Sequence, residues 1–130
     1  MQDNKNINIQ SFKVSKEKFF KMWLTILQPF LKLRNKELEL LAKLLYHRYL
    51  ISLEVKNKEM LDELLFSSKI KKKILTELDI PEYAYNNILS CLRKKKIVLD
   101  KSINKQIIPI IQEPFDNFKL VYNIDIIDVK

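Results

Sequence analysis

A chain of 130 residues, 47% hydrophobic and 31% charged, has room for one hydrophobic core and not for two. It is too apolar for a disordered tail, and with no stretch near the ~20 apolar residues that cross a bilayer and a polar Met1 to Gln10, neither anchor nor signal peptide is expected. Its single cysteine, Cys91, excludes an intrachain disulfide and a cysteine zinc cluster, and the basic balance of +8 points to a polyanion partner or to solvated basic faces.

The polar residues 1–14 are expected to form an N-terminal arm. From Ser15, the expected N-cap, Phe19, Phe20, Trp23, Leu24, Ile26, Leu27, Phe30 and Leu31 recur at three and four residues and predict one buried helical stripe. Pro29 stands near the far end of that helix, where a break costs least. Asn35 is the expected cap of a second helix, with Glu37 and Glu39 in its first turn and Leu38, Leu41, Leu44, Leu45, Tyr49 and Leu53 facing inward. Asn57 caps a shorter third helix carrying Met60, Leu61, Leu64 and Leu65. Ser68 is the expected cap of a fourth, with Ile70, Ile74, Leu75 and Leu78 inward and Lys69, Lys71, Lys72 and Lys73 mostly outward.

Asp79-Ile80-Pro81 breaks the helical pattern briefly. Pro81 presets the backbone for a first helical turn, and a fifth helix from about 81 to 95 would bury Tyr85, Ile88, Leu89 and Leu92. Beyond it the period changes to two. Ile97-Val98-Leu99 reads as a strand, Asp100-Lys101-Ser102 as a turn, and Ile103 onward as the partner strand. Phe118, Leu120, Tyr122, Ile124 and Ile126 alternate with Lys119, Val121, Asn123 and Asp125, which predicts a C-terminal half-buried strand.

The charge is unevenly placed: residues 1–34 carry +5, 35–68 carry −1, 69–96 carry +5 and 97–130 carry −1. Lysine outnumbers arginine 21 to 3, a bias that an AT-rich genome also produces. The absence of glycine removes the Walker phosphate loop, the dinucleotide fingerprint and the nucleophile elbow, each of which needs backbone that glycine alone adopts easily. With one histidine, His47, and one cysteine there is no material for a metal cluster or a nucleophilic triad, and Glu37/Glu39 and Asp62/Glu63 do not share a helix face. No cofactor and no enzymatic activity are expected. His47 reads as a surface or interhelical packing residue and Cys91 as a partly buried, inert thiol. Lys13, Lys16, Lys18 and Lys21 flank an amphipathic first helix, as at a membrane surface, but Phe19, Trp23 and Phe30 at core spacing favour internal packing.

Helix, three-residue turn, helix and hairpin follow one another across residues 69–103. The segment KIKKKILTELDIPEYAYNNILSCLRKKKIVL resembles a winged helix-turn-helix over its whole length, and the chain resembles the small winged helix-turn-helix proteins of tailed phages, crAss-like phages among them. The resemblance implies a mainly α fold with a small β part: a winged helix-turn-helix preceded by extra helices, a short wing hairpin and a C-terminal strand. The corresponding division is an arm at 1–14, a helical winged-helix domain at 15–110 and an extended C-terminal arm at 111–130. It places Leu78, Ile80, Tyr85, Leu89 and Leu92 in the core. The recognition helix would turn Tyr83, Ala84, Asn86, Asn87, Ser90 and Arg93 outward, with the asparagines able to pair with adenine. Lys71, Lys72, Lys73, Lys94, Lys95 and Lys96 would neutralise phosphates. The glycine usual in the family's turn is Asp79 here, and the one that usually follows the recognition helix is Lys96.

The resulting expectation is a non-enzymatic nucleic-acid-binding protein acting on duplex DNA, a phage regulator in the host cytoplasm. The alternative is a virion component, such as a head–tail connector or neck ring subunit, whose partners are other virion subunits or copies of itself. A module that blocks a host enzyme's nucleic-acid site is a third and weaker one. No membrane partner is expected under any of them.

Overall fold

Ser15 opens α1 (Lys16–Leu31) by accepting a hydrogen bond from the Lys18 backbone N–H at 3.2 Å in the computed structural model, which describes residues 11–120 and 124–128. Four further α-helices follow among the described residues: α2 (Asn35–Ser52), α3 (Lys58–Leu65), α4 (Ser68–Leu78) and α5 (Glu82–Lys94), then a 3-10 turn at Lys105–Ile107. Asn57 caps α3 as expected, through bonds to the Glu59 and Met60 N–H groups. Two other caps shift by one residue. Arg34 rather than Asn35 occupies the N-cap of α2, where Glu37 accepts its N–H, and Ser67 rather than Ser68 caps α4.

The second helix is the axis of the fold. Leu38, Leu40, Leu41, Ala42, Leu44, Leu45, His47 and Tyr49 are all buried, so its apolar surface runs most of the way round rather than along one stripe. It packs against each of the other four helices, and α3 packs also on α4. Phe20, Trp23 and Leu24 of α1, Ile70 and Ile74 of α4, and Tyr85, Leu89 and Leu92 of α5 complete one core around it. The tail closes the core on the α1 side. Trp23 donates to the Ile107 carbonyl at 2.7 Å, and Phe115 and Phe118 stack edge-on against Phe19 at 5.0 and 4.9 Å. Phe30 was expected in the stripe but is exposed at the end of α1, and Met60 and Leu64 are exposed on α3.

The winged-helix expectation is overturned, because no strand forms among the described residues. At the expected wing, Val98 and Ile103 make a single bridge, flanked by Leu99 N–H to the Ser102 carbonyl and Asn104 N–H to the Ile97 carbonyl. Ile97, Val98 and Ile103 are all buried, so two consecutive side chains enter the core and the alternation of a projecting ribbon is lost. The Arg93 guanidinium donates to the Leu99 and Asp100 carbonyls and draws the loop back onto α5. The expected C-terminal strand also fails: residues 118–120 and 124–128 carry no strand, while Val121, Tyr122 and Asn123 lie outside the described residues. A strand needs a neighbour for its backbone groups, and the described residues offer no sheet edge. Of the expected N-terminal arm, residues 1–10 lie outside the described residues, and 11–15 run without regular structure.

Helix ends in a chain without glycine are built from other residues. Lys32, Asp79 and Lys96 have φ of 52°, 53° and 62°, each at the C-terminus of a helix. After α4, Asp79 N–H reaches the Thr76 carbonyl and Ile80 N–H the Leu75 carbonyl. After α5, Lys96 N–H reaches Arg93 and Ile97 N–H reaches Leu92. Both are Schellman closures with an apolar pair, Ile80/Leu75 and Ile97/Leu92, across the motif. Left-handed backbone costs an L-residue other than Asn or Asp roughly 1–2 kcal/mol. Lys32→Gly and Lys96→Gly should therefore each stabilise the fold by about 1 kcal/mol in urea denaturation, and Asp79→Gly by less. A loss of stability in both lysine variants would show that the caps carry no such strain.

Candidate nucleic-acid interface

Helices α4 and α5, joined by the turn at 79–81, each pack on α2, and the lysine-rich segment runs through both helices. Pro81 occupies the N-cap of α5 with Glu82 in its first turn, and Tyr85, Leu89 and Leu92 fix the buried side. The opposite side is set by helical spacing. Tyr83, Asn87, Ser90 and Lys94 recur at i, i+4, i+7 and i+11 and form one exposed stripe. Asn86 and Arg93 lie on its flank, both exposed, and Ala84 is half-buried. Tyr83 is 71% exposed, an aromatic ring standing in solvent at the start of the stripe.

The lysines divide into two groups. Lys71 donates to Glu82 at 2.9 Å and sits 5.4 Å above the Tyr85 ring, so it joins α4 to the first turn of α5. Lys95 donates to the Glu37 carboxylate at 2.7 Å and to the Lys32 carbonyl at 2.9 Å, so it ties the end of α5 to the α1–α2 turn. Arg93 is engaged by the 99–100 loop. These three of the expected contact residues are structural ties. Lys72, Lys73, Lys94 and Lys96 are exposed and make no ion pair among the described residues.

No family model, curated protein or solved structure matches the chain. The chemistry of its surface is therefore read from its own residues.

Glu37, only 4% exposed, is the residue the sequence did not mark as a partner of the basic run. Burial alone would raise its pKa, but the Arg34 N–H and the Lys95 ammonium outweigh burial and hold its carboxyl below the ordinary carboxylate value. A second tie crosses the other end of the bundle. Lys43 of α2 lies 2.8 Å from Glu17 of α1 and 3.6 Å from Glu77 of α4, and His47, 5% exposed, is 2.8 Å from the same Glu77 oxygen. His47 thus packs between helices, one of the two placements expected for it. The Lys43 hydrogen bond and charge hold Glu17 below its ordinary value. Burial opposes the charged form of Lys43, yet its two carboxylate partners hold its pKa above the ordinary lysine value. Cys91 is half-buried in α5. No group of three or more His, Cys, Asp or Glu residues able to hold a metal occurs among the described residues, and no helix there is long and apolar enough to cross a membrane.

A carboxyl with a lowered folded pKa stabilises the fold above its unfolded value, here 4.5, and that contribution is lost as pH falls through the lower folded value. Glu37→Gln should cost about 2 kcal/mol at neutral pH and flatten the acid limb of stability against pH below about 4.5. Urea denaturation from pH 3 to 7 reads both effects. An acid limb as steep as that of the unsubstituted chain would assign the acid sensitivity to other carboxylates.

Proposed function

We propose that the chain is a non-enzymatic nucleic-acid-binding protein whose α5 stripe meets the base edges of duplex DNA while exposed lysines track phosphates. The observation that carries this reading is the stripe itself. Tyr83, Asn87, Ser90 and Lys94 stand together in solvent on a helix whose other side is locked into the core. Asparagine is the side chain suited to bidentate pairing with adenine, and an α-helix fits the major groove. Lys72 and Lys73 on α4 and Lys94 and Lys96 at the end of α5 supply charge with no internal partner to give up. A regulatory role in a phage-infected cell is the setting this reading suits.

Asn87 lies within the stripe and Asn86 on its flank, so the two substitutions separate. Asn87→Ala should change discrimination between preferred and random duplexes by roughly tenfold, with a smaller change for Asn86→Ala. Lys72→Gln/Lys73→Gln should weaken binding to all sequences alike and flatten the dependence of log K on log salt by about two. Fluorescence anisotropy on duplex DNA across a salt series measures both. Equal losses on every sequence from the asparagine and the lysine variants would remove base reading from the proposal.

A second reading is favoured by the tail. Ile124, Ile126 and Ile127 are exposed without regular structure, while Phe115 and Phe118 earlier in the tail pack on Phe19. An assembly subunit, such as a virion ring component, would cover such a segment with a neighbouring copy. Deleting residues 119–130 should then convert an oligomer to a monomer in light scattering. A monomer before and after deletion would leave the nucleic-acid reading alone.

A further inference from the structure

The geometry points to a phosphate-binding surface that continues beyond α4 onto α1, with Lys18 and Lys21 as further contacts to the nucleic-acid backbone. This inference rests on the nucleic-acid reading above and extends its footprint.

Lys71 reaches Glu82 and the Tyr85 ring, which fixes the flank of α4 that faces α5. Glu77 reaches Lys43 and His47 on a different flank. On a helical projection Lys71 and Lys73 stand about 200° apart, and Lys73 lies next to Glu77, one turn before it. Helix α4 therefore has α5 on one side and the Glu77 junction on the other. That junction also belongs to α1, because Lys43 holds Glu17 and Glu77 on one ammonium, at 2.8 and 3.6 Å. Lys21 lies one turn beyond Glu17 on the same side of α1, and Lys18 is the neighbour of Glu17 on the outer side. Both lysines are exposed and make no ion pair among the described residues.

The single Lys43 ammonium shared by the two carboxylates offsets one of their two negative charges. Beside these exposed carboxylates stand exposed cations, Lys18 and Lys21 on α1 and Lys69 and Lys73 on α4, with Lys72 further round α4 toward α5. Lysines from the two sequence blocks of +5 thereby stand on either side of the Glu17–Lys43–Glu77 junction. Spaced cations along a groove are what a phosphodiester chain neutralises, and each contact adds about 0.9 to the salt slope.

The test is duplex DNA binding by fluorescence anisotropy from about 50 to 200 mM salt, with the full chain and three double variants. Lys18→Gln/Lys21→Gln is expected to lower the salt slope by about two, so that the affinity lost across that salt range shrinks roughly tenfold, with an unchanged thermal melt. Lys72→Gln/Lys73→Gln is expected to lower it similarly. Lys56→Gln/Lys58→Gln removes the same charge from the α2–α3 connection and is expected to leave the slope unchanged. If the α4 variant loses slope and the α1 variant does not, the extension onto α1 is overturned while the nucleic-acid reading stands. If the α2–α3 variant loses as much as the α1 variant, the effect is net charge and the extension is again overturned. No binding by the unsubstituted chain at low salt overturns the nucleic-acid reading and the extension together.

Discussion

The burial of α2 on nearly every side is the constraint from which the rest of the molecule follows. A helix with one apolar stripe asks for one neighbour. A helix that buries Leu38, Leu40, Leu41, Ala42, Leu44, Leu45 and Tyr49 asks for a sheath. The other four helices and the tail with Phe115 provide it. Buried charges on that axis then pair inside the bundle, although the Arg48 Nε, 3.6 Å from Asp62, makes no hydrogen bond. Glu37 finds Lys95, and His47 finds Glu77. Each pairing spends a charged residue from the basic half of the chain or a carboxylate from α4 on holding helices together.

That division of labour bears on how a basic protein presents its charge. In the run Arg93-Lys94-Lys95-Lys96, Arg93 closes a loop and Lys95 clamps the α1–α2 turn, while Lys94 and Lys96 stand in solvent. The outward potential of the α5 end comes from alternate members of the run. The same partition holds on α4, where Lys71 is tied to Glu82 and Lys72 and Lys73 are not.

Helices were legible because their periodicity is carried by the residues themselves. The stripes at Phe20–Leu24 and Ile70–Ile74, the Ser15 and Asn57 caps, and the break at Asp79-Ile80-Pro81 all stand where the pattern places them. The β elements were not, because a strand is a relation between two segments. Alternation at Phe118 to Ile126 describes a segment ready to pair, and without a partner the described residues of that segment form no strand. At Ile97-Val98 a buried pair imitates the start of a strand. The outward residues of α5 followed from helical spacing. The fates of Lys71 and Lys95 did not, since Lys95 and Glu37 lie 58 residues apart.

The placement of four helices around one axis also orders how the protein opens. Helices α4 and α5 each lean on α2, and the short α3 buries only Leu61 and Leu65. Because α3 packs on α4 and Lys71 ties α4 to α5, the three can open together while the α1–α2 pair, sealed by Trp23 and the phenylalanine cluster, stays closed. Amide protons of α2 are then released to solvent last, and those of fraying helix ends first. The face that carries Tyr83 and Asn87 rides on a unit of intermediate protection, so a ligand seated there would slow exchange in α5 well before it altered the exchange of α2.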